Sequence, residues 1–256
     1  MTKPTAVVPS VSVCFPAYNE EATIAAVLDE AHQLLSGAGL DYEILVCDDG
    51  SSDRTGAIVD GMAQRVPRLR VIHHERNRGI HDTFEQLYRE AGKAFVFLNS
   101  TDRQWDTRIL LDMLPLTADW DVIIASRRQK YYGPARDVVS WAFNVVPRML
   151  FGVSTVDAGA VKLVRREIIE RFTLVSRSPF SEAERLIRAA RAGYRITARP
   201  VETAPRQSGA SRGVSPVLVA RSIADVFRVW RALRAEPRRS WTLEEPSAES
   251  SHADRR

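Results

Sequence analysis

The sequence predicts an α/β protein with a doubly wound, mainly parallel sheet flanked by helices, and three observations support this class. Short apolar runs alternate with helical patterns through the first half of the 256-residue chain. The first two runs, at 11–15 and 44–47, end abruptly in polar turn residues, as buried parallel strands do. The 45% hydrophobic content is ordinary for a globular protein, so a core of this size needs no disulfide or metal staples.

Each element of the first half can be assigned from its own pattern. Strands are predicted at 11–15, 44–47, 69–73, 94–98 and 122–125, and helices at 20–35, 53–65, 80–90 and 107–114. Gly37 and Gly39 end the first helix, and Asp53 caps the second. In such folds the carboxyl ends of the strands share one rim, and ligands bind there.

The second half is less regular. An apolar helical stretch at 136–151 is interrupted at Pro147, and a strand at 160–164, a helix at 182–192 and a strand at 194–198 follow. Residues 200–213 contain prolines, glycines and serines and predict a loop. We therefore expect one α/β domain over 1–213, an amphipathic helix over 214–236 and a disordered tail over 237–256.

The last helix, predicted over 216–234, is amphipathic and basic. The residues predicted to share its apolar face are Val219, Ile223, Val226, Trp230 and Leu233, and those predicted opposite are Arg221, Asp225 and Arg228. Such a helix suits either packing on its own domain or a membrane surface, and the sequence leaves both open.

Charge and cysteine content limit the classes of partner. The net charge is +4, and arginine concentrates after residue 160, which suits phosphate ligands or an anionic membrane. No nucleic-acid partner is expected, because the aromatic residues of a stacking platform are missing. Cys14 and Cys47 are expected to be small buried hydrophobes in a reducing cytosol. No signal peptide or membrane-spanning run is evident, so we expect a cytoplasmic protein, peripheral on the inner membrane face if the last helix binds lipid.

Acidic and amide side chains follow the first two strands. Asn19 and Glu20 come after the first strand, and Asp48 and Asp49 come after the second, before a turn built on Gly50. All of them fall on the ligand rim, and no glycine-rich phosphate loop accompanies them. This pattern predicts a nucleotide held through its base, its ribose and a metal ion.

A series of segments in one order resembles the family two glycosyltransferases, the inverting enzymes of the GT-A fold. They lie at 11–20, 43–55, 77–79, 99–104, 184–194 and 206–211, so the resemblance covers roughly residues 9–213. Within that family the chain is most similar to dolichyl- and polyprenyl-phosphate mannose and glucose synthases. The resemblance implies transfer of a hexose from a nucleoside diphosphate sugar, of the GDP-mannose or UDP-glucose type, to a polyprenyl or dolichyl phosphate.

The resemblance also implies which residues bind the donor. They are Pro16, Tyr18 and Glu20 at the first nucleotide contact, Asp48 and Asp49 at the base and ribose, Asn77 and Gly79 beside the ribose and diphosphate, and Arg127, or its neighbour Arg128. A carboxylate can accept hydrogen bonds from a base imide or from ribose hydroxyls, and glycine allows close backbone approach. Two structural alternatives remain: a simple Asx-turn at Asp48 and Asp49, and a helix start at Glu20.

The family carries an Asp-x-Asp-x-Gln stretch after its fourth strand, and here the matching residues are Ser100, Asp102 and Gln104. The first aspartate is thus replaced, and Asp102 is expected to be the protein ligand of Mg²⁺ or Mn²⁺. Such a cation prefers carboxylate oxygens and neutralises the charge that develops on the leaving diphosphate. The alternative role for Asp102 is a helix cap, although Asp106 or Thr107 would serve better.

Acceptor and closing-loop residues are implied as well. Arg206, Gly209 and Ser211 match a loop that closes over the diphosphate, and Asp157 matches an aspartate near the acceptor. Arg136, Ser140, Asn144 and Arg148 recur every four residues on one helical face that could admit a lipid, or that belongs to an ordinary core helix. Glu184 would be the general base for a hydroxyl acceptor, but it would only orient a phosphate acceptor, which is already ionised.

Other functions stay open on the sequence alone. The missing first aspartate and the unusual residues 80–82 suit a non-catalytic, nucleotide-binding homologue, and a transferase acting on a soluble hydroxyl acceptor is also compatible. A nucleotidyltransferase is less favoured, because residues 16–19 lack a glycine-rich basic loop. His81, within that unusual segment, is expected to be solvated or capping rather than catalytic.

Overall fold

The computed structural model describes residues 8–128, 148–153, 157, 159–203 and 216–234. These residues form a seven-stranded sheet in the order β3-β2-β1-β4-β6-β5-β7. The strands are β1 (Val11–Ala17), β2 (Tyr42–Asp48), β3 (Leu69–His73), β4 (Phe95–Leu98), β5 (Val122–Arg127), β6 (Lys162–Arg165) and β7 (Ile196–Val201). Only β6 runs antiparallel to its neighbours, β4 and β5, so the predicted mainly parallel sheet is confirmed.

Helices connect the strands and cover both faces of the sheet. They are α1 (Ile24–Gly37), α2 (Thr55–Arg65), α3 (Ile80–Glu90), α4 (Ile109–Met113), α5 (Arg166–Arg171), α6 (Ser181–Arg191) and α7 (Pro216–Leu233), with a 3-10 turn at Leu114–Ala118. Residues 148–151 are also helical, but the rest of the predicted helix at 136–151 lies outside the described residues. The predicted loop after residue 203 and the tail at 237–256 lie outside them too.

Several element boundaries differ from the prediction for local reasons. Helix α1 begins at Ile24 instead of residue 20, because the Glu20 carbonyl accepts N–H groups from Thr23 and Ile24 in a turn that precedes the helix. The six-residue helix α5 was not predicted, since it is too short to show a helical period. The strand predicted at 160–164 is β6, displaced to Lys162–Arg165.

The smaller of two apolar clusters lies between the sheet and α3 and includes both cysteines. Leu87 and Tyr88 of α3 pack there against Leu45 of β2. Cys14 and Cys47 are buried and form no disulfide, as predicted for small core hydrophobes. Desolvation raises the pKa of the Cys14 thiol, and desolvation followed by the nearby Asp49 and Asp48 charges raises the pKa of Cys47 to about 12. Both thiols are therefore inert neutral core groups at physiological pH.

Helix α7 packs on the domain through a different face from the one predicted. Asp225, predicted on the face opposite the apolar residues, is only 1% exposed, whereas Ile223, predicted on the apolar face, is 54% exposed. The packed face therefore departs from the apolar face at both residues, because Asp225 has partners that hydrophobic periodicity cannot detect: the backbone N–H of Arg177 and the Arg228 guanidinium. Val229 and Leu233 complete the buried face. None of the helices in the described ranges is long and apolar enough to cross a membrane.

Candidate functional site

The loops that follow β1 and β2 are held together by hydrogen bonds at the rim of the sheet. Asn19, which adopts a positive φ of 57°, donates its backbone N–H to Ser51 Oγ at 2.9 Å. The Asn19 side-chain oxygen accepts the backbone N–H of Ser52 at 2.8 Å. Short polar side chains after each strand therefore fix the relative position of the two loops, which is the local reason for the serines in this segment.

Further hydrogen bonds between the same two loops fix the segments at which α1 and α2 begin. The backbone N–H of Glu20 donates to Thr55 Oγ1 at 2.8 Å, and that of Glu21 donates to Asp53 Oδ2 at 3.2 Å. Asp53 also accepts the N–H of Thr55, the first residue of α2, but the N-cap position is Arg54 and not Asp53 as predicted. Desolvation raises the pKa of Asp53, but the hydrogen bonds from Thr55 and Glu21 outweigh it and keep the pKa below its usual value.

Asp48 lies at the end of β2 with its carboxylate 7% exposed. Its Oδ1 accepts the N–H of Ser51 at 3.1 Å, and its Oδ2 lies 3.2 Å from His73 Nδ1. The other imidazole nitrogen lies 2.9 Å from Asp60 Oδ1, and these contacts, with Asp60 the larger cause, raise the pKa of His73. The Asp48 side chain thus accepts from the N–H three residues on, and not two residues on as in the Asx-turn considered from the sequence. Its remaining lone pairs could still accept from a ligand.

Asp49 binds the loop between β3 and α3. Its Oδ1 accepts the backbone N–H of Arg78 at 2.8 Å and lies 2.7 Å from His74 Nδ1, and its Oδ2 accepts the N–H of Gly79 at 2.9 Å. Gly79 has a φ of 92°, in the region that favours glycine. Asp49, Gly79 and the exposed Asn77 are therefore brought together, as the donor assignment requires, by backbone contacts that are present without a ligand.

Gly50 makes this arrangement possible. Its φ is 67°, and a Cβ added there would lie 2.5 Å from the backbone carbon of Arg76 and 2.7 Å from the backbone nitrogen of Asn77. The turn after β2 and the loop after β3 therefore approach closer than any side chain would permit. This packing explains why the turn is built on glycine.

The segment after β4 brings Asp102 to the same rim. Thr101 donates to the carbonyl of Pro16, which ties this segment to the β1 loop. Asp102 Oδ1 accepts the Ser100 hydroxyl at 2.6 Å and the N–H of Gln104 at 3.1 Å. The Asp106 side chain accepts the N–H of Arg108, which is itself the N-cap residue of α4, so neither Asp102 nor Asp106 caps that helix.

The donor set around Asp102 is made of oxygen atoms, the ligands that Mg²⁺ and Mn²⁺ prefer. Ser100 Oγ and the Asp102 carboxylate are adjacent, and Asp102 is 9% exposed. The described residues contain no cluster of three or more His, Cys, Asp or Glu that could hold a metal. The residues therefore fit a cation that takes most of its remaining ligands from a bound diphosphate and water.

Arg127 and Asp157 form a buried ion pair with each other. The guanidinium donates to Asp157 through Nε at 3.0 Å and through its terminal nitrogen at 2.8 Å, and both side chains are less than a tenth exposed. The guanidinium carbon also lies 5.3 Å from the centre of the Trp105 ring. This geometry gives the pair a role in fixing the chain after β5, and their contact with donor or acceptor remains a prediction.

Glu184 is fully buried at the start of α6. Its carboxylate accepts the backbone N–H groups of Val175 and Ser176 and pairs with Arg188, with a closest distance of 2.7 Å. A carboxylate enclosed in this way positions the segment that precedes α6. A general base needs to reach the acceptor proton, and the enclosed carboxylate is not placed for that role. An orienting role of Glu184 towards the acceptor stays a prediction.

Sequence reasoning missed a buried charged network under the rim. Lys162 Nζ lies 2.9 Å from Glu182, and Arg185 binds Glu85 at 2.5 Å while lying over the Tyr88 ring at 4.1 Å. Desolvation raises the pKa of Glu182, but Lys162 and Arg185 outweigh it and lower the pKa overall. A lysine inside an apolar strand pattern was the available signal, because such a residue needs a buried partner.

The remaining predicted site residues divide into two groups. Pro16, Tyr18 and Gln104 are half-buried at the rim, beside the loops described above. Arg136, Arg206, Gly209 and Ser211 lie outside the described residues. His81 lies with its Nδ1 3.0 Å from Ser181 Oγ, so it links α3 to α6, and its assignment as a non-catalytic histidine stays a prediction.

Comparison with known proteins adds to this geometry. The family model described as Glycosyl transferase family 2 matches residues 12–173. A glycosyltransferase of Haloferax volcanii, AglD, is 29% identical over 246 residues, and the match covers 89% of this chain but 38% of that protein. An undecaprenyl-phosphate mannosyltransferase of Micrococcus luteus is 26% identical over 237 residues, covering 86% of this chain and 96% of that protein.

Solved structures show the same fold. A mannosyltransferase of Pyrobaculum calidifontis, solved with GDP-Man and Mn²⁺, has a TM-score of 0.63 at 21% identity, covering 91% of this chain and 67% of that one. At this identity the likeness establishes the architecture, and it confirms the predicted GT-A fold.

Proposed function

The chain belongs to glycosyl transferase family 2, and we propose that it transfers a hexose, with inversion, from a nucleoside diphosphate sugar to a polyprenyl phosphate. The donor is of the GDP-mannose or UDP-glucose type. The main support is the joining of the rim loops after β1, β2, β3 and β4 by hydrogen bonds, which brings Asp48, Asp49 and Asp102 to one edge of the sheet. The relative in Micrococcus luteus is named for an undecaprenyl-phosphate substrate, which supports the acceptor class.

In this proposal the chain's own residues hold the donor in place. Asp48 and Asp49 accept from the base and ribose with the lone pairs that their protein partners leave unused. Asn77 and the Gly79 backbone lie beside the diphosphate, on a loop whose position Asp49 fixes. Arg206, on the loop with Gly209 and Ser211, closes over the diphosphate and excludes water.

Asp102 and Ser100 would hold Mg²⁺ or Mn²⁺, assisted by Gln104. The cation, when bound, neutralises negative charge that builds on the leaving diphosphate. The Ser100 hydroxyl orients the Asp102 carboxylate, and the N–H of Gln104 holds the same oxygen. The Mn²⁺ in the related mannosyltransferase structure is consistent with this assignment.

The enclosed position of Glu184 supports a phosphate acceptor. A phosphomonoester has a second pKa of about 6, so it reaches the site largely ionised and needs no general base. A neutral hydroxyl would need a general base to remove its proton. Glu184 is fully buried among the described residues and is not placed to remove it. Asp157 and Arg136 are assigned to the acceptor side of the site.

The exposed face of α7 supports attachment to a membrane surface, where such an acceptor resides. Val217, Ile223 and Phe227 are each more than half exposed, and Arg221 and Arg231 are exposed on the same helix. Apolar side chains interleaved with arginines suit reversible binding to anionic lipid. The protein would then be cytoplasmic and peripheral on the inner face of the membrane.

Isothermal titration with GDP and UDP, each with Mg²⁺ or Mn²⁺, tests the donor half of the proposal. One nucleotide should bind with micromolar affinity, and binding should weaken when the metal is chelated. Transfer from the matching nucleotide sugar to a short polyprenyl phosphate tests the other half. If neither nucleotide binds, the proposal fails.

A non-catalytic, nucleotide-binding role is the second candidate. The observation that favours it is the serine at position 100, which leaves Asp102 as the one carboxylate at the metal position. Nucleotide binding without turnover of any sugar donor, including slow hydrolysis, would support this role. Transfer to a soluble hydroxyl acceptor would instead require a base other than the enclosed Glu184.

A further inference from the structure

A cavity of about 660 Å³ lies between α3, α5 and the segment at 172–177. Its upper end reaches the rim, where Arg78 and His81 line it beside the loop that Asp49 holds. None of the residues assigned above to the donor lines this cavity. It is therefore a neighbour of the donor site and not a part of it.

Some of the charges in the cavity wall are already paired. Glu85 binds Arg185 at 2.5 Å, and Glu170 binds Arg166 at 2.6 Å. These pairs neutralise two acids and one of the arginines that line the cavity. The surplus charge of the wall is consequently positive and depends on the arginines that remain.

Three lining arginines remain, Arg78, Arg89 and Arg177, against one remaining acid, Asp82. Arg89 already donates to the Glu85 carbonyl and to the Gln86 side chain, which leaves Arg78 and Arg177. Both are exposed and both line the cavity, and within the described part of the chain neither guanidinium has an acidic partner. Unpaired arginines beside a ligand site are typical of anion recognition, because guanidinium binds phosphate oxygens with two parallel donors.

The backbones that carry these two arginines are held in the same way. Asp49, 4% exposed, accepts the N–H of Arg78 at 2.8 Å, and Asp225, 1% exposed, accepts the N–H of Arg177 at 2.9 Å. Each arginine thus projects from a backbone position fixed by a buried carboxylate. This positioning limits the loss of conformational freedom when a ligand binds.

Ser176 gives independent evidence for a ligand in the cavity, because its buried hydroxyl lacks a hydrogen-bond partner among the described residues. Its backbone N–H is held by Glu184, and its side chain is 3% exposed in the cavity wall. The Ser176 hydroxyl has no hydrogen-bond partner in the described structure. A buried hydroxyl without a partner is unfavourable, and an anionic oxygen in the cavity would satisfy it.

We propose that this cavity binds the phosphate group of the acceptor, an inference that rests on the proposed function. Arg78 and Arg177 pair with the phosphate oxygens, and the Ser176 hydroxyl donates to a third. The apolar side chains of Ile169 and Phe172, in the same wall, accommodate the first part of the lipid chain. The acceptor phosphate is thus held at the rim end, next to the donor loop of Gly79.

The donor diphosphate carries the same chemistry, so the experiment separates the two sources. Farnesyl phosphate, below its micelle concentration, and farnesol are titrated into the full chain by calorimetry without nucleotide. GDP and UDP are titrated separately with Mn²⁺. The variants are Arg177→Ala, Arg177→Lys, Arg78→Ala and, as a matched control, Arg166→Ala, which removes a cavity arginine already paired with Glu170.

Wild-type protein should bind farnesyl phosphate and not farnesol. Arg177→Ala should weaken that binding about tenfold or more, as expected for a charge-assisted hydrogen bond, and leave nucleotide affinity unchanged. Arg78→Ala should weaken it similarly, Arg177→Lys should restore it in part, and Arg166→Ala should stay within about twofold of wild type. Thermal unfolding of Arg78→Ala and Arg177→Ala should match wild type, since both removed side chains are exposed.

The inference is overturned if wild type binds farnesol as well as farnesyl phosphate, or if Arg177→Ala and Arg166→Ala behave alike. A parallel loss of nucleotide affinity in Arg177→Ala would assign the arginine to the donor and would also overturn it. A transfer assay keeps the two proposals apart. Transfer that is equal in wild type and Arg177→Ala refutes this cavity alone, whereas phosphate binding without any transfer refutes the proposed function.

Discussion

The hydroxyl of Ser100 donates a hydrogen bond to Asp102 Oδ1 at 2.6 Å, and Ser100 occupies the position that matches the first aspartate of the Asp-x-Asp-x-Gln stretch. A carboxylate at position 100 would repel Asp102, and a cation between them would be needed to relieve that repulsion. The hydroxyl instead orients the Asp102 carboxylate without a metal. The metal position is therefore preorganised, but it carries less negative charge than a position with carboxylates at both 100 and 102.

We expect Asp102→Asn to abolish metal-dependent turnover of the donor. Loss of the carboxylate should lower the transfer rate about 100-fold or more, because the cation contributes several kcal/mol of charge stabilisation. The free energy of unfolding should change by about 1 kcal/mol or less, since the asparagine oxygen can still accept from Ser100 and Gln104. Single-turnover kinetics with Mn²⁺ and urea unfolding measure the two effects, and an unchanged rate would refute the assignment.

Ser100→Asp should have the opposite effect on metal binding. Adding a second carboxylate should tighten Mn²⁺ binding in the presence of nucleotide about tenfold, because affinity for hard cations rises with ligand charge. Without metal the variant should be less stable than wild type, by about 1 kcal/mol, owing to repulsion from Asp102. Calorimetric titration of Mn²⁺ and the shift of Tm on adding Mn²⁺ check both effects.

Ser100→Ala is the control for this variant. It removes the hydrogen bond to Asp102 without adding charge, so Mn²⁺ binding should weaken or stay the same. If the alanine variant binds Mn²⁺ as tightly as the aspartate variant, charge at position 100 is not the determinant of affinity.

Gly50→Ala should destabilise the domain by about 2 kcal/mol or more. The new Cβ would lie 2.5 Å from the backbone of Arg76, and the residue would keep a φ of 67° that costs about 1–2 kcal/mol for alanine. Gly61→Ala, in the middle of α2 with nothing within 4 Å of the added Cβ, should instead stabilise by about 0.5–1 kcal/mol. Urea unfolding of the two variants should therefore give opposite signs, and equal signs would contradict the close approach of the two loops.

Much of the fold could be predicted from the sequence because its strands are short apolar runs with clear polar ends. The strand Leu69–His73 and the helix Ile80–Glu90 were predicted with their exact bounds. The reversal of β6 could not be predicted, since direction depends on which strands neighbour it and not on its own pattern.

The site was harder to predict, because the sequence shows which residues are acidic but not what they bind. Asp48 and Asp49 were expected to face a ligand, yet each already accepts backbone N–H groups, and Glu184 is enclosed entirely. The cavity arginine Arg177 gave no sequence signal, since a single exposed arginine in a loop resembles any solvated residue. Its meaning depends on Asp225, a residue 48 positions away whose burial was not expected.

His73 should make the stability of the protein depend on pH. Its pKa is raised, first by Asp60 and then by Asp48, so the folded state favours the charged imidazolium. The stabilisation is fully present below the unfolded pKa of about 6.5 and is lost as pH rises through the higher folded pKa. The difference in unfolding free energy between wild type and His73→Gln should thus be largest near pH 6 and decline towards pH 8.

Asp60→Asn tests whether Asp60 is the main cause of the raised His73 pKa. It removes the larger of the two contributions, so the decline should become smaller and move to lower pH. Chemical denaturation at several pH values between about 5.5 and 8.5 measures this dependence. A difference between wild type and His73→Gln that does not vary with pH would show that the imidazole acts only through neutral hydrogen bonds.

The last prediction concerns the exposed face of α7. Removing residues 214–256 is a blunt test of membrane attachment, because it also removes Val229 and Leu233 from the core and Asp225 from Arg177. Changing Ile223 and Phe227 together to glutamate is sharper, since both side chains are more than half exposed and make no core contact that the variant would lose. Val8→Glu, which changes an equally exposed apolar residue elsewhere, is the control.

Wild type and Val8→Glu should sediment with anionic liposomes, and the double variant should bind them at least about tenfold more weakly. Burial of each large apolar side chain in the interface contributes about 1.5–3 kcal/mol, and the new carboxylates repel the lipid. Added salt should weaken wild-type binding, because the arginines of α7 act through a screened charge. Equal and negligible sedimentation of all forms would argue for a soluble acceptor. The site would then need a general base, because a neutral hydroxyl must lose its proton as it attacks the anomeric carbon.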